Sequence, residues 1–215
     1  MNDKKEIKNE WIKTAKQLSY FTIAYNIVEA FFSVYLGFEE NSIMLAGFGG
    51  DSSIEVLSAL IVLSRFYSHS TDEFILVKEK KATQKIGLLF LLLFAIVFSS
   101  SLYLLYGQHH PSSTFPGMII SALSLGFMFF LWGLKKKVAK NLNSSTMMSD
   151  ANCSLVCIKL SFILFAGSFL FWKWPSLWWV DSVAALIFSF FILKEGIEMI
   201  QATRNNNFSG GCGCQ

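Results

Sequence analysis

Charge is what this sequence has least of. Asp, Glu, Lys and Arg together make up 15% of its 215 residues, where a soluble domain carries nearer a quarter. The chain is 53% hydrophobic and holds 22 phenylalanines. That leaves little from which to build a soluble domain, and the chain reads as an integral membrane protein. Cysteine is also sparse. Two of the four lie inside an apolar segment and two in the last four residues, which is not the spread of a secreted disulfide framework. The first twenty residues are polar and Lys-rich, without the short apolar core and cleavage site of a signal peptide. The formal charge of +3 gives no sign of nucleic-acid binding, because the basic residues gather at segment ends, where they report topology.

What remains is long apolar runs. Six segments, at about 17–38, 41–66, 83–106, 116–135, 146–171 and 176–200, are each near the roughly 20 residues that span a bilayer. The expected architecture is therefore all-α, a polytopic protein of six transmembrane helices occupying 17–201. Residues 1–16 precede it as a basic or amphipathic segment on the cytoplasmic surface. Residues 202–215 follow as a flexible tail holding Cys212 and Cys214. The breaks carry loop chemistry: Glu39, Glu40 and Asn41; Gln108, His109, His110 and Pro111; Trp172, Lys173, Trp174 and Pro175.

Orientation follows from Lys and Arg. The N-terminal segment is basic, as are the stretch with Arg65, Lys78, Lys80, Lys81 and Lys85 and the stretch with Lys135, Lys136, Lys137 and Lys140. The three opposite loops hold only Lys173. Both termini are therefore expected in the cytoplasm, with Trp172, Trp174, Trp178 and Trp179 as an aromatic belt at the outer interface.

Two short stretches break the apolar pattern in the same way. Asp51-Ser-Ser-Ile-Glu55 places two carboxylates at i and i+4 in segment two, on one face and one turn apart. Cys153-Ser-Leu-Val-Cys157 does the same with two thiols in segment five. With segment two running inward, Asp51 and Glu55 lie about 15–21 Å deep at 1.5 Å per residue, and the cysteines, entered from the other side, about 10–17 Å deep. Both pairs fall near the middle of a core roughly 30 Å thick. Two carboxylates and two thiols make four ligands, the number of a tetrahedral metal site. The plainer alternatives are a buried acidic pair satisfied by Ser and backbone groups, and two ordinary buried cysteines. Against the first, segment two supplies no base before Arg65, and ionisable groups inside a span are costly.

Other polar residues are candidates for a pathway. Asp150 shares a face with the cysteines, either guiding an ion or ending a helix. Asn26 and Glu29, at i and i+3 in segment one, either line the pathway or, for Glu29, pair with Lys159. Asp181, near the outer end of segment six, is a pathway residue or an N-terminal helix charge favoured by the dipole. His69, Asp72 and Glu73, the pair His109 and His110, and the Cys-x-Cys of the tail are weaker metal candidates beside ordinary loop and tail readings.

At these residues the sequence resembles the cation diffusion facilitator family of divalent-metal transporters. Ser42-Ile-Met-Leu45 followed by Asp51 and Glu55 matches the pattern of that family's second span. Asp150-Ala-Asn-Cys153-Ser-Leu-Val-Cys157 keeps the frame of its fifth span, Asp-x-x-His-x-x-x-Asp, with Cys in place of both ligands. Trp178-Trp-Val-Asp181 is similar to the opening of its sixth. The resemblance implies six spans, cytoplasmic termini and a transported metal rather than a cofactor or an enzymatic activity. It also raises a homodimer. The family's cytoplasmic C-terminal domain has no counterpart in the fifteen residues after position 200, so dimerisation through it is not expected.

Asp51, Glu55, Cys153 and Cys157 are thus the expected metal ligands. Thiolates favour zinc, cadmium, mercury or copper(I), and carboxylates moderate that choice; zinc, then cadmium, is the first expectation. Thiols must lose protons to bind metal, so proton antiport is the expected energy source. The rival readings are a membrane metal sensor or store without transport and a membrane thiol-redox enzyme. The absence of a Cys-x-x-Cys arrangement counts against the latter. An uncleaved six-span protein suits a bacterial inner membrane.

Overall fold

The computed structural model describes residues 2–67, 72–107, 115–142, 144–174, 176–177 and 179–204. It is built from six helices: α1 Asn2–Glu39, α2 Ile43–Tyr67, α3 Asp72–Tyr106, α4 Phe115–Leu142, α5 Ser145–Lys173 and α6 Val180–Arg204. No strand occurs among the described residues. At 1.5 Å per residue even the shortest helix, about 37 Å, outspans a hydrocarbon core of roughly 30 Å. Five helices contain stretches long and apolar enough to cross a membrane: Asn9–Glu39, Ile43–Ser64, Lys80–Tyr106, Phe115–Leu142 and Asp150–Lys173. The sixth expected span, α6, is long enough at 25 residues, but Lys194, Glu195 and Glu198 interrupt its apolar run.

Three boundaries differ from the sequence expectation, all in lysine-rich stretches. α1 runs unbroken through residue 16, and its early residues Trp11 and Ala15 pack with Val138, Ala139 and Met147. α3 begins at Asp72, so Lys78, Lys80, Lys81 and Lys85 stand on a helix. α4 continues to Leu142, seven residues past the expected end, and carries Lys135 with it. Lysine is a good helix former, so a change of polarity at the membrane edge does not end a helix. His69, His109, His110, Cys212 and Cys214 lie outside the described residues, as do the side chains of Asp72 and Glu73.

The packing is inverted relative to a soluble bundle. On α1, Ser19, Thr22, Asn26, Glu29 and Ser33 are buried, while Phe31, Phe32, Tyr35 and Phe38 are exposed. The buried set recurs every three or four residues, so it forms one stripe facing the bundle. With lipid as the outer solvent, apolar side chains face outward and polar ones find partners inside.

α1 packs most closely on α2, α4 on α5, and α3 on α6. The first two are hairpins with short connections. The α1–α2 turn is made by Asn41 at φ 54°, a left-handed conformation that Asn tolerates better than most residues. Gly49 lets α2 approach α1, since a Cβ there would stand 2.7 Å from Val34 Cγ2 and 2.8 Å from its backbone nitrogen. Two apolar clusters form the core. One centres on Phe48, Phe90, Phe188 and Ile192 and includes Cys153; the other centres on Val62, Met128 and Leu131 and includes Cys157. The two cysteines therefore belong to different clusters, and the polar side chains described next lie at the seam.

Candidate functional site

α2 brings Asp51 and Glu55 to the seam one helical turn apart, both buried. α5 meets them there. The Cys157 thiol donates to Glu55 Oε2 at 3.2 Å and stands 3.6 Å from Asp51 Oδ2. Ser154, one turn nearer the start of α5, lies 3.4 Å from Glu55 Oε1. These contacts follow from depth: each pair is in the middle of its helix, and α2 and α5 touch. Cys153 lines the same narrow cavity with Asp51, Glu55 and Cys157. Cys153 is disulfide-bonded and Cys157 is a free thiol. Among the described residues, no three His, Cys, Asp or Glu side chains close round one point as a ready-made cage.

Asp150 is fully buried and paired inside the bundle. It faces Lys135 of α4 at 3.0 Å, and neither side chain has any solvent exposure. Lys135 Nζ also donates to Ser154 Oγ at 2.9 Å, so a chain of polar contacts runs from Asp150 through Lys135 and Ser154 to Glu55. The expectation that Lys135 is a loop charge at the membrane surface is corrected here. Its position follows the inward stripe Met128, Leu131, Lys135, Val138 and Ala139. The helical phase was visible in the sequence, but the run Lys135-Lys136-Lys137 hid it.

Glu29 belongs to a neighbouring polar group. It accepts from Tyr25 Oη at 2.8 Å and from Ser52 Oγ at 2.9 Å. The alternative in which it pairs with Lys159 is not found among the described residues: Lys159 is exposed and its charge acts on Glu195. Asn26 is fully buried and approaches Glu55, yet neither end of its amide completes a well-formed hydrogen bond among the described residues.

Asp181 is at the other end of the bundle. Ser42 Oγ donates to Asp181 Oδ1 at 2.6 Å, and the backbone N–H groups of Ile43 and Met44 also hydrogen-bond to the carboxylate. Ser42 itself caps α2 through the N–H of Leu45 at 3.2 Å. Asp181 therefore satisfies the orphan donors and positive end of α2 from across the bundle. It is about 12 Å along α2 from the level of Asp51.

One acidic residue at the cavity escaped the sequence reading. Glu195 of α6 lines it with Asp51, Glu55, Cys153 and Cys157. It lies on the inward stripe Ala184, Ala185, Phe188, Ile192, Glu195 and Met199. The rule that singled out Asp51 also applies to Glu195, but its neighbours Lys194 and Glu198 gave the appearance of a helix end.

Comparison with known proteins supports the same reading of the chain. Residues 83–205 match the cation efflux transmembrane domain. That stretch covers α4, α5, α6 and most of α3, and so contains Lys135, Asp150, both cysteines and Glu195, while Asp51 and Glu55 precede it. Transmembrane protein 163 of Xenopus laevis is 24% identical over 188 residues, which are 87% of this chain and 66% of the relative. The chain thus spans just under two thirds of that relative's length. Matched over more than half of its residues by that one domain, and built as a helical bundle with an apolar exterior and a polar seam, the chain belongs to the cation efflux family, the cation diffusion facilitators.

Proposed function

We propose that this chain is a secondary transporter that exports a divalent transition metal, zinc or cadmium, from the cytoplasm in exchange for protons. The termini face the cytoplasm, and the membrane is the cell membrane, a bacterial inner membrane in the reading from sequence. The observation that carries the proposal is the contact of one free thiol with two carboxylates deep in the bundle, at 3.2 and 3.6 Å. Ligands at roughly 2.0 Å (oxygen) and 2.3 Å (sulfur) from a tetrahedral zinc stand about 3.5 Å from each other. Small side-chain rotations turn these hydrogen-bonded partners into ligands. Asp51, Glu55 and Cys157 are the ligands to hand, and Cys153 completes the four once its disulfide is reduced. A reducing cytoplasm favours that form.

The chemistry also supplies the exchange. The proton that Cys157 shares with Glu55 must leave before sulfur binds a metal, so loading releases protons and protonation expels the metal. Mixed thiolate and carboxylate donors favour borderline metals over magnesium or calcium, which want oxygen alone.

The test is metal flux into proteoliposomes with an imposed pH gradient, in reducing buffer, comparing zinc, cadmium, cobalt and manganese. Gradient-driven zinc or cadmium flux is expected, reduced at least tenfold in Asp51→Asn and in Cys157→Ser. Saturable binding without flux would make the protein a sensor. Undiminished flux in both variants would remove these residues from the site.

A further inference from the structure

Glu195 is 6% exposed, and its Oε1 is buried with no hydrogen-bond partner among the described residues. A buried acid left this way is unsatisfied in either protonation state. As a carboxylate it has no ion-pair partner among the described residues, only the more distant charges of Lys159 and Lys194, and as a neutral acid it lacks a partner for its free oxygen. Lys194, beside it on α6, and Lys159 of α5 act on it only from beyond ion-pair distance. Lys194 is exposed and pairs with Glu198 at 3.5 Å. No lysine or arginine among the described residues stands within ion-pair distance of Glu195.

The side chain is nonetheless held in place. Gly196 is backed against α3: a Cβ there would meet Phe90 Cβ at 3.0 Å and Gly87 O at 3.1 Å. This crossing fixes the height and rotation of α6 at Glu195, and Phe90 lines the same cavity. Glu195 is nine residues from the end of α6, and Cys153 is eight from the start of α5. The two are therefore level at about 12–14 Å from the basic end of the bundle. Asp51 lies near enough for the two charges to interact.

We propose that Glu195 is a further ligand for the transported cation, contributed by α6, which receives the ion at the level of Cys153 and shares it with Asp51, Glu55 and Cys157. This rests on the metal-transport reading above. Among the acids lining this cavity it is the one whose oxygen the protein leaves unpartnered, and an oxygen donor raises the affinity of a thiolate site for zinc relative to softer ions.

The experiment is metal binding, separate from flux. The full-length protein, reduced and in detergent micelles, is titrated with zinc and with cadmium by calorimetry, and the cadmium–thiolate charge-transfer band is followed in parallel. Glu195→Gln is expected to weaken zinc binding at least tenfold, and cadmium less, while keeping the thiolate band. Glu195→Asp, which keeps a carboxylate one methylene shorter, is expected to fall between. Glu198→Gln is expected to match wild type. If Glu195→Gln does not yield a monodisperse protein, Glu195→Asp decides, and wild-type affinity there overturns the proposal. Wild-type zinc affinity in Glu195→Gln would overturn it while leaving the transport reading intact. No thiolate band and no binding in the wild type would overturn both.

Discussion

Asp150 and Glu195 both stand close to the Asp51–Glu55–Cys157 cluster, one through Lys135 and Ser154 and one in its cavity, and the protein treats them in opposite ways. Asp150 is given Lys135 at 3.0 Å in full burial. Glu195 is buried nearly as well, with no lysine or arginine within ion-pair distance among the described residues. The contrast separates two uses of charge inside a membrane. A paired acid belongs to the scaffold, because its cost is met when the chain folds. An unpaired acid leaves that cost to be met by something that arrives later. In both cases the neighbouring helix decides: α4 brings a lysine within ion-pair distance of Asp150, whereas α3 packs Gly87 against Gly196 and lines the Glu195 cavity with Phe90.

The sharpest way to break the comparison is to take away the lysine. Lys135→Met leaves Asp150 as a lone buried charge, and loss of stability of about 3–5 kcal/mol is expected from chemical unfolding in detergent. The double variant Lys135→Met/Asp150→Leu should recover most of it. If the single variant is as stable as wild type, the pair is not structural and Asp150 returns to the pathway. The counterpart on α6 should behave differently, with Glu195→Gln leaving the unfolding midpoint unchanged or raised, since it removes a buried carboxyl that has no ion-pair partner among the described residues.

A smaller loss is expected at the far end. Asp181→Ala strips three donors from one carboxylate at the head of α2 and should cost about 1–2 kcal/mol. Zinc affinity should be unaffected, because the cap is about 12 Å from the level of Asp51. Altered zinc affinity in a folded Asp181→Ala protein would give this residue a part in transport after all. The smallest effect belongs to Ser154→Ala, which cuts the link between Lys135 and Glu55 at a cost of about 1 kcal/mol. Measuring it in the Lys135→Met background should give less than in wild type, since the two share one network.

Much of this organisation was legible in the residues. The long apolar runs gave the helices, and the i, i+4 spacing of Asp51 with Glu55 and of Cys153 with Cys157 gave one face on each of two helices. Counting depth from the two sides placed the pairs at one level, where Cys157 indeed touches both carboxylates. What escaped was charge that sits near a helix end in sequence but deep in the bundle in space. Lys135 and Glu195 each lie beside further charged residues that face outward, and counting charges along the chain merged the inward one with its neighbours. The α1 stripe from Ser19 to Ser33 escaped because polar residues on a membrane helix point inward, so the usual sense of amphipathicity is reversed. The capping of α2 by Asp181 could not be read at all, because 139 positions separate Ser42 from Asp181.

The pairing of α3 with α6 has a bearing on how the protein is made. α1 with α2, and α4 with α5, can close as hairpins while the ribosome is still at work, because each partner follows directly. α3 touches α2 before it but makes its main contact with α6. Gly87 and Gly196 therefore meet only once α6 has been synthesised. The cavity between α2, α5 and α6 closes after both hairpins, and a chain that has reached only α5 offers no complete place for an ion.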